Sequence, residues 1–432
     1  MISSPSTWRS VRIRDVVHQQ LTREQRATLE IAQQVSFLPM EAIGEQGEVD
    51  LSITRDKDTV STGYTLFFDD DVLVAKITPC FENGKGAVAK NLLNGIGFGT
   101  TELHVLRPSH EIDPQFLYYV TVSQPFRALG EADMTGAAGQ KRVPTDFVYN
   151  YRIALPPLPT QRAIATYLDR ETARIDALID AKQQLLALLA EKRRALITHA
   201  VTRGLDPDVP MRDSGVPWIG EVPAHWEVSL LRYFLVKIEQ GWSPQSDNFP
   251  AEEDEWGVLK VGAVNNWEFN PKENKRLPNE LEPLNEYEIK PGDILISRAN
   301  TTELLGSAVL VDEIRSKLLL CDKIYRLYIR DDRIYSKYLI GYLRSSVARF
   351  SFERDANGAS SSMQNISQSA VADLIILVPP LVEQAKISDY IEIERTRIDQ
   401  LESTAKQTVD RLQERRTALI AAAITGQIYI EE

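Results

Sequence analysis

The sequence predicts an α+β protein in which two tandem, mixed β-rich modules are separated by two long antiparallel coiled-coil helices, the whole having pseudo-twofold symmetry. Three observations lead there. At 432 residues the chain exceeds the usual size of one domain, so two cores are expected. The segment Pro156-Pro157-Leu158-Pro159-Thr160-Gln161-Arg162-Ala163-Ile164 is answered by Pro379-Pro380-Leu381-Val382-Glu383-Gln384-Ala385-Lys386-Ile387. Each copy opens a long run whose apolar residues recur at helical spacing.

The repeat holds an offset of 223 positions without a gap: Tyr167 meets Tyr390, Glu171 meets Glu394, and Arg174-Ile175-Asp176 meets Arg397-Ile398-Asp399. Glu191 and Glu414, Arg193 and Arg416, and Ala195-Leu196-Ile197 and Ala418-Leu419-Ile420 keep the same offset. A fainter echo at 222 precedes it. Asp71 to Lys76 resembles Asp293 to Arg298, Phe116-Leu117 resembles Tyr338-Leu339, and Gly136-Ala137 corresponds to Gly358-Ala359. The chain is therefore one module and one helix, followed by the same pair again.

In chain order, residues 1–155 read as the first module. Tyr64 to Phe68, Asp71 to Ile77 and Leu103 to Leu106 have strand character, and Pro114 to Val122 reads as a short helix. Residues 156–203 form the first long helix, with a seam at Ile164, Leu168, Ile175, Leu178, Leu185, Leu189 and Leu196. A Pro-Pro entry precedes it, and Gly204 suits its C-terminal cap. Residues 204–228 are rich in turn formers and read as a surface linker. Residues 229–378 form the second module, with strands at Gly257 to Val261, Asp293 to Ser297 and Ile324 to Ile329 and a helix at Ser336 to Arg344. Residues 379–432 hold the second long helix, whose seam is Ile387, Ile391, Ile398, Leu401, Leu412 and Leu419. Rods of roughly 60 Å with one narrow seam need a partner, and each rod is the natural partner of the other.

Composition narrows the function. The sequence shows neither a basic start followed by an apolar run nor a stretch of about eighteen apolar residues, which predicts a cytoplasmic protein without membrane contact. Cys80 and Cys321 are too few for a disulfide framework, and the five histidines show no metal-ligand spacing. Gly95-Ile96-Gly97-Phe98-Gly99 lacks the dinucleotide-binding pattern, and Gly84-Lys85 lacks a P-loop frame. Asp69-Asp70-Asp71 and Glu252 to Glu255 read as solvated turns rather than Mg²⁺ ligands. No catalytic residue, metal or cofactor is therefore assigned to this chain.

The stretch Met211-Arg212-Asp213-Ser214-Gly215-Val216-Pro217-Trp218-Ile219-Gly220-Glu221-Val222-Pro223-Ala224-His225-Trp226-Glu227-Val228, following Gly204-Leu205-Asp206-Pro207, resembles the linker of type I restriction-modification specificity subunits. With the two Pro-Pro-Leu-x-x-Gln helices and the half-length duplication, the resemblance spans essentially the whole chain. The first module departs from it, opening at Ser6-Thr7-Trp8-Arg9 with only a tryptophan equivalent to Trp226. The resemblance implies two target-recognition domains that each read one half of a bipartite, asymmetric DNA site. It also implies partners: double-stranded DNA, two modification subunits that use S-adenosylmethionine, and restriction subunits that use ATP and Mg²⁺ for translocation and cleavage.

Base edges are read by Arg, Lys, Asn and Gln in loops. Candidates are Gln140, Lys141 and Arg142 in the first module and Ser362, Gln364 and Asn365 at the corresponding place in the second. Lys76 and Arg298, matched at the ends of equivalent strands, join them, as do Gln245, Lys260 and Asn300. The net charge of -12 opposes DNA binding by this chain alone. It is reconciled with the reading when partner subunits neutralise most phosphates. The competing readings are a protein- or carbohydrate-binding scaffold using Trp242, Trp256 and Trp267, and a self-sufficient nuclease.

Overall fold

In a computed structural model of the chain, the structure describes residues 8–137, 139–360, 363–428 and 430. They fall into two compact units, Met1–Gln183 with Lys406–Glu432, and Gln184–Ala405. The first long helix, Leu158–Arg203, and the second, Leu381–Ile424, each contribute to both units.

In unit one, short strands build two four-stranded sheets. One is antiparallel throughout, in the order Val17–His18, Leu103–Pro108, Val72–Ala75, Gly86–Val88. The other runs Thr54–Asp56, Gln34–Leu38, Ile96–Gly99, Thr65–Phe68, with Gln34–Leu38 parallel to Ile96–Gly99. Val72–Ala75 is buried at every position, as a strand covered on both faces must be. The helix Pro114–Val122 starts where expected, with Pro114 in its first turn and the Asp113 carboxylate accepting the N–H groups of Gln115 and Phe116.

Unit two repeats the plan. Its main sheet is antiparallel in the order Leu235–Gln240, Ile324–Ile329, Ile294–Ser297, Ala308–Leu310. A three-stranded sheet joins Asn274–Arg276, Gly257–Leu259 and Leu318–Leu319. The pair Arg9–Arg12 with Arg152–Leu155 in unit one has its counterpart in Glu227–Leu230 with Ile375–Val378.

The long helices pair antiparallel within each unit. In unit one, Ile164 and Leu168 share a core with Ile420, Ala423 and Ile424, and Arg416 Nε donates to Asp176 Oδ1 at 2.9 Å. In unit two, Ile197 and Val201 share a core with Ile387 and Ile391, while Arg193 bonds Asp399 and lies 3.1 Å from Glu402. Arg193 with Arg416, and Asp176 with Asp399, are the matched residues of the 223 offset. Each ion pair is thus the other with donor and acceptor helices exchanged.

The seam itself follows the helix rather than a strict heptad. Ile164, Leu168, Ile175, Leu189, Ile387, Ile391 and Ile398 are buried, and Leu196, Leu412 and Leu419 are partly so. Leu178 and Leu401 are instead 46% and 55% exposed, and Leu185 is exposed too. An α-helix makes a turn in 3.6 residues, not 3.5, so the buried line passes from Ile175 to Ile179 and leaves Leu178 beside it. Residues 204–228 also differ from a surface linker. They form the hairpin Met211–Asp213 with Glu221–Pro223, and Ile219, Val222 and Trp226 enter the core of unit two. Their apolar area outweighs the turn-forming neighbours, and Arg212 fastens the segment through the carbonyls of Ala224 and Trp226.

A matched glutamine joins each helix to its module at the Pro-Pro entry. Gln161 is 1% exposed; its amide donates to Pro156 O at 2.9 Å and Glu111 O at 3.0 Å, and its oxygen accepts Asp113 N–H at 2.8 Å. Gln384 is 0% exposed and does the same with Pro379 O at 2.8 Å, Arg333 O at 3.3 Å and Tyr335 N–H at 2.8 Å. Removing a buried partner leaves each facing group desolvated and unpaired. Gln384→Ala should therefore lower the unfolding free energy by about 2–3 kcal/mol in urea titrations. Gln384→Glu, which cannot donate as a carboxylate, should lose at least as much. An unchanged midpoint in both variants would refute the anchoring role.

Candidate nucleic-acid interface

In unit one the strand Val72–Ala75 runs on into Lys76, Ile77 and Thr78, and the chain returns beside it at Lys141, Arg142 and Val143. Thr78 N–H donates to Lys141 O at 2.9 Å, Val143 N–H donates to Lys76 O at 2.8 Å, and Ile77 faces Arg142 in an antiparallel bridge. In unit two Ile294–Ser297 runs on through Arg298 into Ala299–Asn300, with Met363–Asn365 returning beside it. Ile366 N–H donates to Arg298 O at 2.9 Å, Ala299 faces Asn365, and Asn300 faces Gln364. By the offsets of the repeat, Lys76 corresponds to Arg298, Ile77 to Ala299, Arg142 to Asn365 and Val143 to Ile366. One backbone construction, matched down to a single hydrogen bond, presents different side chains in the two units.

The turn before each returning segment is matched as well. A side chain at Gly136 would place its Cβ 2.5 Å from Gln140 O, and one at Gly358 would meet Met363 O at 2.5 Å. Gln140 and Met363 are again counterparts. Close approach of the loop's two arms thus requires glycine at both positions.

The side chains differ in how far they are already engaged. Arg142 is exposed and gripped by Glu102, Nε to Oε2 at 2.9 Å and Nη2 to Oε1 at 2.8 Å. Hydrogen bonding from Arg142 holds the Glu102 carboxyl below its ordinary range, with Lys76 adding a smaller attraction. Gln140 and Lys141 are exposed beside it. In unit two the Arg298 guanidinium lies over the Tyr325 ring, 5.9 Å from its centroid, and donates to Asp322 O at 3.2 Å. Asn300 is buried, its amide donating to Asn265 Oδ1 at 2.7 Å and its oxygen accepting Thr301 N–H, so it shapes the site from beneath. Gln364 and Asn365 are partly buried on the returning strand. Ser362 lies outside the described residues. Gln245 is exposed two residues beyond Ser243, which bonds Asp322. Lys260 follows the strand Gly257–Leu259 of the three-stranded sheet and is paired with Glu273 at 2.7 Å. Sequence reasoning missed Glu102, Asn265, Ser243 and Asp322, which only contacts distant in the chain reveal.

Asp69, Asp70 and Glu252 to Asp254 stand exposed, as expected of solvated turns, and Asp71 is the exception. Asp71 is buried, accepts Arg107 Nη2 at 2.7 Å and Phe68 N–H at 2.9 Å, and burial raises its pKa despite that partner. Asp69 caps Leu92 N–H, and Glu255 pairs with Arg276. Among the described residues, no group of three or more His, Cys, Asp or Glu could hold a metal ion. Trp242 and Trp256 pack against one core of unit two, and Trp267 packs against the other beneath Arg344. No helix among the described residues is long and apolar enough to cross a membrane.

Residues 5–187 and 235–411 match the model of the type I restriction modification DNA specificity domain. The chain belongs to this family. This family member is 33% identical to the type I restriction enzyme EcoEI specificity subunit of Escherichia coli, over 87% of the present chain and 76% of that relative. Its fold is shared, at 19% identity and a TM-score of 0.76, by a chain from a structure describing complex assembly and conformational transition of the type I R-M system. The match covers 99% of this chain and 100% of that one. The HsdS subunit of Thermoanaerobacter tengcongensis is similar at 18% identity and a TM-score of 0.56, over 98% of both chains.

The returning segment of this specificity-family member carries an acid-sensitive support. His104 is buried, and its Nε2 donates to Val143 O at 3.1 Å. Burial lowers its pKa from 6.5 to about 4. The unfolded chain takes up this proton first, so the stability is fully present above pH 6.5 and is lost as pH falls towards 4. Unfolding of the full chain should register about 2–3 kcal/mol of it between those limits. His104→Gln should flatten that part of the profile. An identical pH profile in the variant would remove His104 as the cause.

Proposed function

We propose that this chain is the DNA-specificity subunit of a type I restriction-modification complex, reading a bipartite, asymmetric double-stranded DNA site with one unit on each half-site. The observation that carries the reading is the matched loop and strand edge. The same hydrogen-bonded scaffold carries Lys76 and Arg142 in one unit and Arg298 and Asn365 in the other. Donor and acceptor side chains on a rigid backbone are what discrimination of base edges requires. A shared scaffold with unlike side chains gives two unlike half-sites.

The chain has no catalytic site of its own. Two modification subunits, using S-adenosylmethionine, supply adenine methylation. Restriction subunits, using ATP and Mg²⁺, supply translocation and cleavage. The complex acts on DNA in the cytoplasm. With a formal charge of -12, this chain contributes base readout more than phosphate neutralisation, which falls largely to the modification subunits.

Co-expression of the chain with its modification partner, followed by mapping of methylated adenines across the host genome, tests the reading. The expected result is a single split motif with a constant unread gap, seen only when both proteins are present. Methylation that is independent of this chain, or confined to an uninterrupted palindrome, would overturn it. The isolated chain should bind the same duplex at least tenfold more weakly than the assembled complex in a fluorescence titration at fixed salt.

A further inference from the structure

We propose that Arg142 reads a guanine in one half-site, with Glu102 as its positioning residue. This inference rests on the DNA-specificity reading and adds the base and the residue. A guanidinium has two usable edges, Nε with Nη2 and Nη1 with Nη2. Glu102 occupies the first with both oxygens, at 2.9 and 2.8 Å. Arg142 is thereby fixed in one plane while 45% of its side chain stays exposed. Among the described residues, no group bonds Nη1. The outer edge is a two-donor fork, and guanine alone among the bases offers two acceptors, O6 and N7, at that spacing in the major groove.

The same carboxylate argues against a phosphate contact. A phosphate is bound mainly by net charge, and Glu102 already neutralises Arg142 at close range. Directional hydrogen bonding survives that neutralisation. Lys76 and Lys141, which the structure leaves without an ion pair among the described residues, are better suited to phosphate. The backbone also restrains the fork. Arg142 N–H donates to Thr135 O at 2.8 Å and Thr135 N–H donates to Arg142 O at 3.1 Å, so both its backbone groups are held by the outgoing arm of the same loop. The corresponding place in unit two is Asn365, whose amide carries one donor group and one acceptor and cannot present a two-donor edge. Guanine reading by this device therefore belongs to one half-site.

The test uses the full chain assembled with its modification partner. Wild type, Arg142→Lys and Glu102→Gln are compared by genome-wide adenine methylation. Initial methylation rates are then measured on duplexes carrying each base at every position of both half-sites, over a series of salt concentrations. Arg142→Lys keeps the charge and loses the fork. It should reduce the preference for guanine at one position about tenfold or more, leaving the other half-site unchanged. Glu102→Gln should relax the same position by several fold, because Arg142 keeps its donors and loses its alignment. Arg142→Lys should leave the salt dependence unchanged, and Glu102→Gln, which removes the charge that neutralises Arg142, should steepen it slightly. Unaltered base preference at every position in both variants would overturn the proposal. So would a salt slope that falls by about one, with no change in preference, in a further variant, Arg142→Gln, which removes the charge: that is the signature of a phosphate contact. If wild type itself gives no chain-dependent methylation, the DNA-specificity reading falls, and this inference with it. A wild-type split motif that the variants leave intact rejects only the role of Arg142 and Glu102.

Discussion

A primary amide removed from water must find partners for its oxygen and both its N–H groups, and backbone groups already held in place can supply all of them. Gln161 and Gln384 meet this condition in the same way, each joining the Pro-Pro entry of a long helix to two backbone groups of the module it leaves. The bonds are short in reach and directional, so helix and module cannot tilt against each other without losing several at once. Apolar packing alone would not give this restraint, because it is insensitive to small rotations. Within each unit, one side chain thus restrains the angle at which the helix leaves the sheets, beside the core packing and the other hydrogen bonds along the helix.

Much of the fold was legible because duplication converts a weak signal into a strong one. Strands such as Val72–Ala75 and Ile294–Ser297 are short apolar runs that could each be misread alone, but their matched offsets support one another. The long helices were plain from spacing, whereas which leucines they bury was not. Leu178 and Leu401 satisfy a heptad yet stand exposed, since the line of contact is set by helix pitch and by the facing surface. The segment 204–228 was misjudged for a related reason. Proline and glycine report where a chain turns, and the depth at which Trp226 lies depends on the core it meets.

The candidate site divides along the same line. Lys76, Arg142, Arg298 and Asn365 could be named from the repeat, because equivalent positions in equivalent loops survive as an offset in the sequence. Their partners could not. Glu102 is 40 residues from Arg142, and Asn265 is 35 from Asn300. Asn300, chosen as a polar loop residue, is consumed by such a partner and supports the loop from inside. A polar residue type indicates capacity for hydrogen bonding, and burial decides whether that capacity faces the protein or the solvent.

This division bears on how an acidic protein reads a polyanion. Several cations near the modules are already neutralised: Arg142 by Glu102, Lys260 by Glu273, Arg276 by Asp247 and Glu255, and Lys237 by Glu239. A paired cation releases few counterions on meeting DNA, so it adds little of the salt-sensitive attraction that is common to all sequences. Its unused N–H groups remain directed, and their value depends on finding the right acceptor. Internal pairing therefore lowers affinity for every sequence while sparing discrimination between them. On the function proposed above, a subunit built this way leaves general attraction to its partners and keeps for itself the contacts whose strength varies with the base.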